Sequence, residues 1–113
     1  MTLSERDQIY VEHMLECNER VERFAYQDRN TFMRSDLVQD AVVRNLQTLS
    51  ESSQRLSDEV KNTQSHIDWR AITGFRNILV HDYMGLDLET IWLVIENDLP
   101  ALKDALNAMQ ADL

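Results

Sequence analysis

Two glycines and one proline are all that punctuate 113 residues, while apolar side chains recur along most of the chain at intervals of three and four. That combination confines the backbone to helix. Glycine and proline are the residues that interrupt helices, and a spacing of three and four lines up one face of a 3.6-residue turn. Leu3, Tyr10, Met14, Cys17, Val21 and Phe24 form the first such stripe, with Ser4 placed as an N-cap and Glu5 and Asp7 in the opening turn. These residues predict one long amphipathic helix whose stripe is core or interface. A break over Asp28 to Ser35 precedes a second helix with Val38, Val42, Leu46, Leu49, Ser53 and Leu56 on its apolar face, where small Ser52 and Ser53 allow close packing. Ser57 to Ser65 loses the period and reads as a connector.

Asp68 is the predicted N-cap of a third helix, with Ile67 and Ile72 spaced as a hydrophobic staple and Trp69 opening the first turn. Ile72, Phe75, Leu79 and Val80 anchor it. Gly74 inside it costs about 1 kcal/mol relative to alanine, so it is expected to mark close approach of another backbone. Met84, Gly85 and Leu86 end this helix, and Asp87 caps a fourth whose stripe is Ile91, Ile95, Leu99, Leu102, Leu106 and Met109. Pro100 should kink or restart it near Asp98. No segment alternates with a period of two, so the expected fold is all-α, an up-and-down bundle of four to five helices forming a single domain over 1–113.

Hydrophobic residues make up 43% of the chain, enough to bury a core. A chain of this length still leaves much apolar surface exposed as a monomer, which makes a dimer plausible. Cys17, the single cysteine, excludes an intramolecular disulfide and fits a reducing compartment, and with no cation beside it the expectation is a small buried apolar residue. No signal peptide, lipidation motif or long apolar run is seen, so the expectation is a soluble, cytoplasmic protein with no membrane association. The net charge of −9 argues against indiscriminate nucleic-acid binding. The excess is uneven, however: residues 41–86 carry five basic and five acidic side chains, and the acid surplus lies at both ends.

The balanced part holds a short polar cluster, Arg76-Asn77-Ile78-Leu79-Val80-His81-Asp82-Tyr83. On a helix Arg76 and Tyr83 stand two turns apart on one face, and Asn77 and His81 one turn apart on the adjacent face. Arg44, Asn45 and Arg70 are further candidates for contact with an anionic substrate or for supporting the motif; Arg44 and Asn45 can equally be solvated residues beside a packed face. A structural alternative exists for the cluster as well: Arg76 pairs with Asp82 or another acidic neighbour, and His81 and Tyr83 finish a helix end. His13 and His66 read as surface residues. There is no phosphate-binding glycine loop, no nucleophile elbow and no clustered ligand set, so no metal or other cofactor is expected.

The pattern R-N-x-x-x-H-x-Y resembles that of HEPN-superfamily toxins of the HepT type, the partners of minimal nucleotidyltransferases. The flanks Ala41 to Leu46, Asp68-Trp69-Arg70, Gly74-Phe75, Gly85 to Leu88 and Asp98-Leu99-Pro100 extend the resemblance over nearly the whole chain. It implies a HEPN-like bundle and a toxin that is a metal-independent endoribonuclease acting on tRNA or mRNA in a toxin–antitoxin system of type VII kind. Arg76, Asn77 and His81 would be its catalytic residues. Cleavage without a metal needs a base for the 2'-hydroxyl, an acid for the leaving 5'-oxygen and a cation for the charge growing on phosphorus. An imidazole and a guanidinium suit those tasks, but one histidine does not serve as acid and base in the same turnover. A homodimer, which the resemblance also implies, supplies a second. The resemblance further makes Tyr83 the acceptor of AMP from the nucleotidyltransferase antitoxin. The alternative is a non-catalytic helical subunit that partners the nucleotidyltransferase and binds nucleotide.

Overall fold

Ser4 Oγ accepts the Asp7 N–H at 3.1 Å, and this cap opens α1 (Glu5–Ala25). The computed structural model describes residues 3–25, 28–81 and 87–111. Val11, Met14, Cys17, Val21 and Ala25 of α1 are buried, with Leu3, Tyr10 and Phe24 packed at the edge of the core. Burial pushes the Cys17 thiol above its ordinary pKa, so it behaves as the apolar residue its position suggested.

The region read as a break contains a short helix, α2 (Arg29–Arg34), capped by Asp28 through the Thr31 N–H and buried through Phe32. Ser35 ends α2, and its hydroxyl caps α3 (Asp36–Ser53) by accepting from Val38 N at 3.1 Å. Val42, Leu46, Leu49 and Ser53 of α3 are buried against α1, which is its main partner. The polar connector likewise contains one turn and a little more of helix, α4 (Asp58–Asn62), capped by Ser57. Both corrections share a cause: a helix of five or six residues is too short to display a period, and its caps are the only local signal.

Ser57 also fastens the connector to α1. Its N–H and hydroxyl donate to the two Asp7 carboxylate oxygens at 2.9 and 2.7 Å, and Asp7 is buried. Burial raises the Asp7 pKa, but the hydrogen bonds from Ser57 and Ser4 outweigh it and hold the carboxyl below its usual value.

Asp68 accepts the Ala71 N–H at 3.0 Å and opens α5 (Trp69–His81), as expected. Asp87 caps α6 (Leu88–Leu93), which runs through a π-helical turn, Val94–Asp98, into α7 (Leu99–Ala111). In that turn the Leu99 N–H reaches back five residues to the Val94 carbonyl. Pro100 explains the register change. It has no N–H to give to Glu96, so the α ladder cannot pass through it, and the wider turn lets α7 restart with proline at its second position. Asn18, fully buried on α1, donates its amide to the Leu99 carbonyl at 3.2 Å and pins this junction.

Every residue of the expected last stripe, Ile91, Ile95, Leu99, Leu102, Leu106 and Met109, is buried. The result is an all-α up-and-down bundle of four long helical segments (α1, α3, α5 and α6–α7) with α2 and α4 in the connections, 44 × 27 × 22 Å in extent. No strand occurs among the described residues. None of their helices is long and apolar enough to cross a membrane.

Candidate functional site

α5 has the least buried face of the long helices, with Leu79 as its one fully buried side chain and Ile72, Phe75 and Val80 partly buried. The opposite face is therefore open. At 100° per residue, Arg70, Gly74, Asn77 and His81 fall within one narrow strip directly away from Leu79, and all four are exposed. Asn77 and His81 stand one turn apart on that strip, as the spacing implied. Tyr83, with Asp82, Met84, Gly85 and Leu86, lies outside the described residues.

Arg76 flanks the strip on the side of α3. Its Nη2 donates to Glu51 Oε1 of α3 at 3.4 Å and its Nη1 to Asn77 Oδ1 at 3.3 Å. Its Nε is buried and without an acceptor among the described residues, while the side chain as a whole is 30% exposed. With Nε–H buried and one N–H each on Glu51 and Asn77, two of the five guanidinium donors stay open to an anion, and the long contact to a half-exposed carboxylate is readily exchanged for one. Arg76, Asn77 and His81 thus present a cation, an amide and an imidazole on the C-terminal half of one helix. Glu51 was not singled out in the sequence; a partner 25 residues away leaves no local signal.

The other candidates divide. Arg44 is exposed on α3, two turns before Glu51, and consecutive long helices of an up-and-down bundle run antiparallel, so this displacement leads toward the His81 end of α5. Asn45 spends its amide on the Ala41 carbonyl at 2.8 Å within its own helix. Arg70 sits at the far end of α5, about 16 Å from His81 along the axis. It lines a separate cleft with Lys61 and Trp69.

Gly74 contradicts its expected role. A Cβ built there would meet nothing within 4 Å, so among the described residues no backbone packs against it. His13 and His66 are exposed, as expected. Among the described residues no group of three or more His, Cys, Asp or Glu side chains is arranged to hold a metal ion.

An apolar groove of about 520 Å³ runs between Ile72 and Phe75 of α5, Leu46 and Leu49 of α3, the π-helical turn and Leu102 of α7. Ile78, three residues beyond Phe75 on α5, is 48% exposed.

The family model described as Ribonuclease HepT-like matches residues 14–109. A Methanocaldococcus jannaschii protein, named as a gamma-glutamylcyclotransferase and, by inference, an RNase, is 32% identical over 106 residues; the match covers 93% of this chain but about half, 48%, of that protein. A Caldanaerobacter subterraneus protein named as an RNase by inference is 33% identical, over 83% of this chain and 85% of its own length. The Thermococcus cleftensis protein named "Probable ribonuclease HepT" is 31% identical over 83% of this chain and 86% of its own. No solved structure gives a significant match.

Proposed function

We propose, from the premise that this chain belongs to the HepT-like ribonuclease family, that it is a metal-independent endoribonuclease and the toxin of a toxin–antitoxin pair. The observation that carries the reading is the joint presentation of Arg76, Asn77 and His81 on the open half of α5, inside the matched region. Arg76 takes the phosphate through the donors that Glu51 leaves unused. Asn77, bonded to Arg76, either contacts the same phosphate or orients His81.

The chemistry balances with two imidazoles. One His81 removes the 2'-hydroxyl proton as the oxygen attacks phosphorus. The 5'-oxygen leaves with a proton from the imidazolium of a second copy, giving a 2',3'-cyclic phosphate and a 5'-hydroxyl. A homodimer is therefore part of the proposal. The weak burial of α5, the exposure of its Ile78 and the apolar groove lined by its Ile72 and Phe75 support an interface along this helix. Control comes from a nucleotidyltransferase antitoxin in the cytoplasm: the Tyr83 phenol attacks the α-phosphorus of ATP, pyrophosphate leaves, and the AMP anion competes with RNA for Arg76.

The variants Arg76→Ala and His81→Ala test the reading on a defined RNA, each first shown to be folded. Loss of a general acid–base group lowers the rate by about 100-fold or more. Tyr83→Phe should cleave as the parent does and take up no AMP from the nucleotidyltransferase. Parent protein that binds the nucleotidyltransferase yet cuts no RNA would replace the proposal with a non-catalytic binding subunit.

A further inference from the structure

The cleft at the start of α5 has a composition the motif does not explain. Asp58, Lys61 and Asn62 of α4 face Trp69, Arg70 and Thr73 of α5 across about 510 Å³. The Trp69 ring is half-buried and fixed, its Nε1–H donating to the Lys61 and Gln64 carbonyls at 3.2 Å each. Among the described residues Lys61 and Arg70 form no ion pair, although the chain carries 20 carboxylates and Arg20, Arg29, Arg76 and Lys103 all do pair. Two free cations beside a fixed aromatic ring and an amide are the elements that hold single-stranded nucleic acid, the cations on phosphate and the ring against a base. Asp58 is the opposing charge in the same cleft and limits its affinity for anions.

A second observation joins the cleft to the motif. Arg70, Gly74, Asn77 and His81 form one exposed strip, and Gly74 in its middle has no neighbour among the described residues that requires a glycine. Any longer side chain at 74 would stand between Arg70 and Asn77, which are about 10 Å apart along the axis. The bare backbone keeps that path clear.

We infer that the Lys61–Trp69–Arg70 cleft is a subsite for a nucleotide flanking the cut position, and that Gly74 keeps open the lane along which one RNA strand passes from it to Asn77 and His81. This rests on the ribonuclease reading for its substrate, but the binding it requires is measured without cleavage.

In the His81→Ala background, affinity for a fluorescein-labelled single-stranded RNA longer than a dinucleotide is followed by anisotropy over a salt series. Adding Lys61→Ala and Arg70→Ala should weaken binding roughly tenfold and reduce the slope of log affinity against log salt by about 1.4, two phosphates at about 0.7 each. Adding Gly74→Leu instead should weaken binding with the slope nearly unchanged, in protein that is folded and has the parent's oligomeric state by sedimentation. Both results support the subsite even if the parent cuts no RNA, in which case the nuclease reading alone fails. Parent-like affinity and salt slope in the double variant, with cleavage by the His81-containing protein intact, would overturn the subsite and leave the nuclease reading standing.

Discussion

Arg76 on α5 and Glu51 on α3 meet at 3.4 Å, so the cation of the motif is aimed by a carboxylate from the neighbouring helix while part of its hydrogen-bonding capacity stays open. With the carboxylate 48% exposed, the pair contributes little to stability. Its charge, however, sits where an RNA phosphate would arrive. Glu51→Gln should shift folding stability by less than about 1 kcal/mol and strengthen RNA binding roughly threefold at low salt. Thermal unfolding and anisotropy check it; weaker binding would show that Arg76 needs the anion to hold its position.

Asp7 and Ser57 give the fold an acid-sensitive joint. The Asp7 carboxyl is held below its ordinary pKa in the folded chain. The unfolded chain therefore takes up the proton first as pH falls. The stabilisation is complete above the unfolded value, near 3.9, and is lost as pH drops through the lower folded one. Asp7→Ala should cost about 2 kcal/mol at neutral pH, because two part-buried hydrogen bonds to a charged acceptor are lost. Urea titrations at neutral pH and near pH 3 should show the difference between parent and variant shrinking in acid.

Asn18 tests the junction at Pro100. Its amide holds the Leu99 carbonyl, while its own Oδ1 has no partner among the described residues. Asn18→Ala removes the bond and opens a small cavity, for an expected loss of about 1–3 kcal/mol. Amide exchange localised to residues 94–103 should rise more than exchange in α3. Uniform exchange changes would mean that Asn18 does not act on this junction.

Ile78 addresses assembly. A charge at this half-exposed site on α5 should leave the monomer folded and prevent the proposed dimer. Ile78→Lys should sediment as a monomer with parental helicity, and cleavage should fall with it. A dimeric Ile78→Lys protein would move the interface away from this flank of α5.

What was legible in the sequence followed the length of each element. The stripes of α1, α3 and the α6–α7 segment span several turns, and their predicted apolar residues are buried or packed on the core. Asp68 and Asp87 cap the helices they were expected to cap. α2 and α4 escaped because a single turn has no period, although Asp28 and Ser57 are cap residues in plain view. Gly74 was misread because a glycine within a helix signals only that a side chain is absent; whether a backbone or open space replaces it is a tertiary fact. In the site, the one-turn spacing of Asn77 and His81 was visible at once. The Glu51 tether and the Lys61–Trp69 cleft were not, since both join residues brought together by packing. Asn18 and Asp7 hid for a related reason: a polar residue beside an apolar stripe looks solvated until its partner on another segment is known.

The most direct test of the account is cleavage of total RNA by the purified chain and by His81→Ala in a metal chelator, with mass spectrometry showing no adduct on Tyr83. The account predicts that the parent cuts and leaves 2',3'-cyclic phosphate ends, while the folded variant is slower by about 100-fold or more. Equal cleavage by both proteins, or none by a folded dimeric parent, would contradict it.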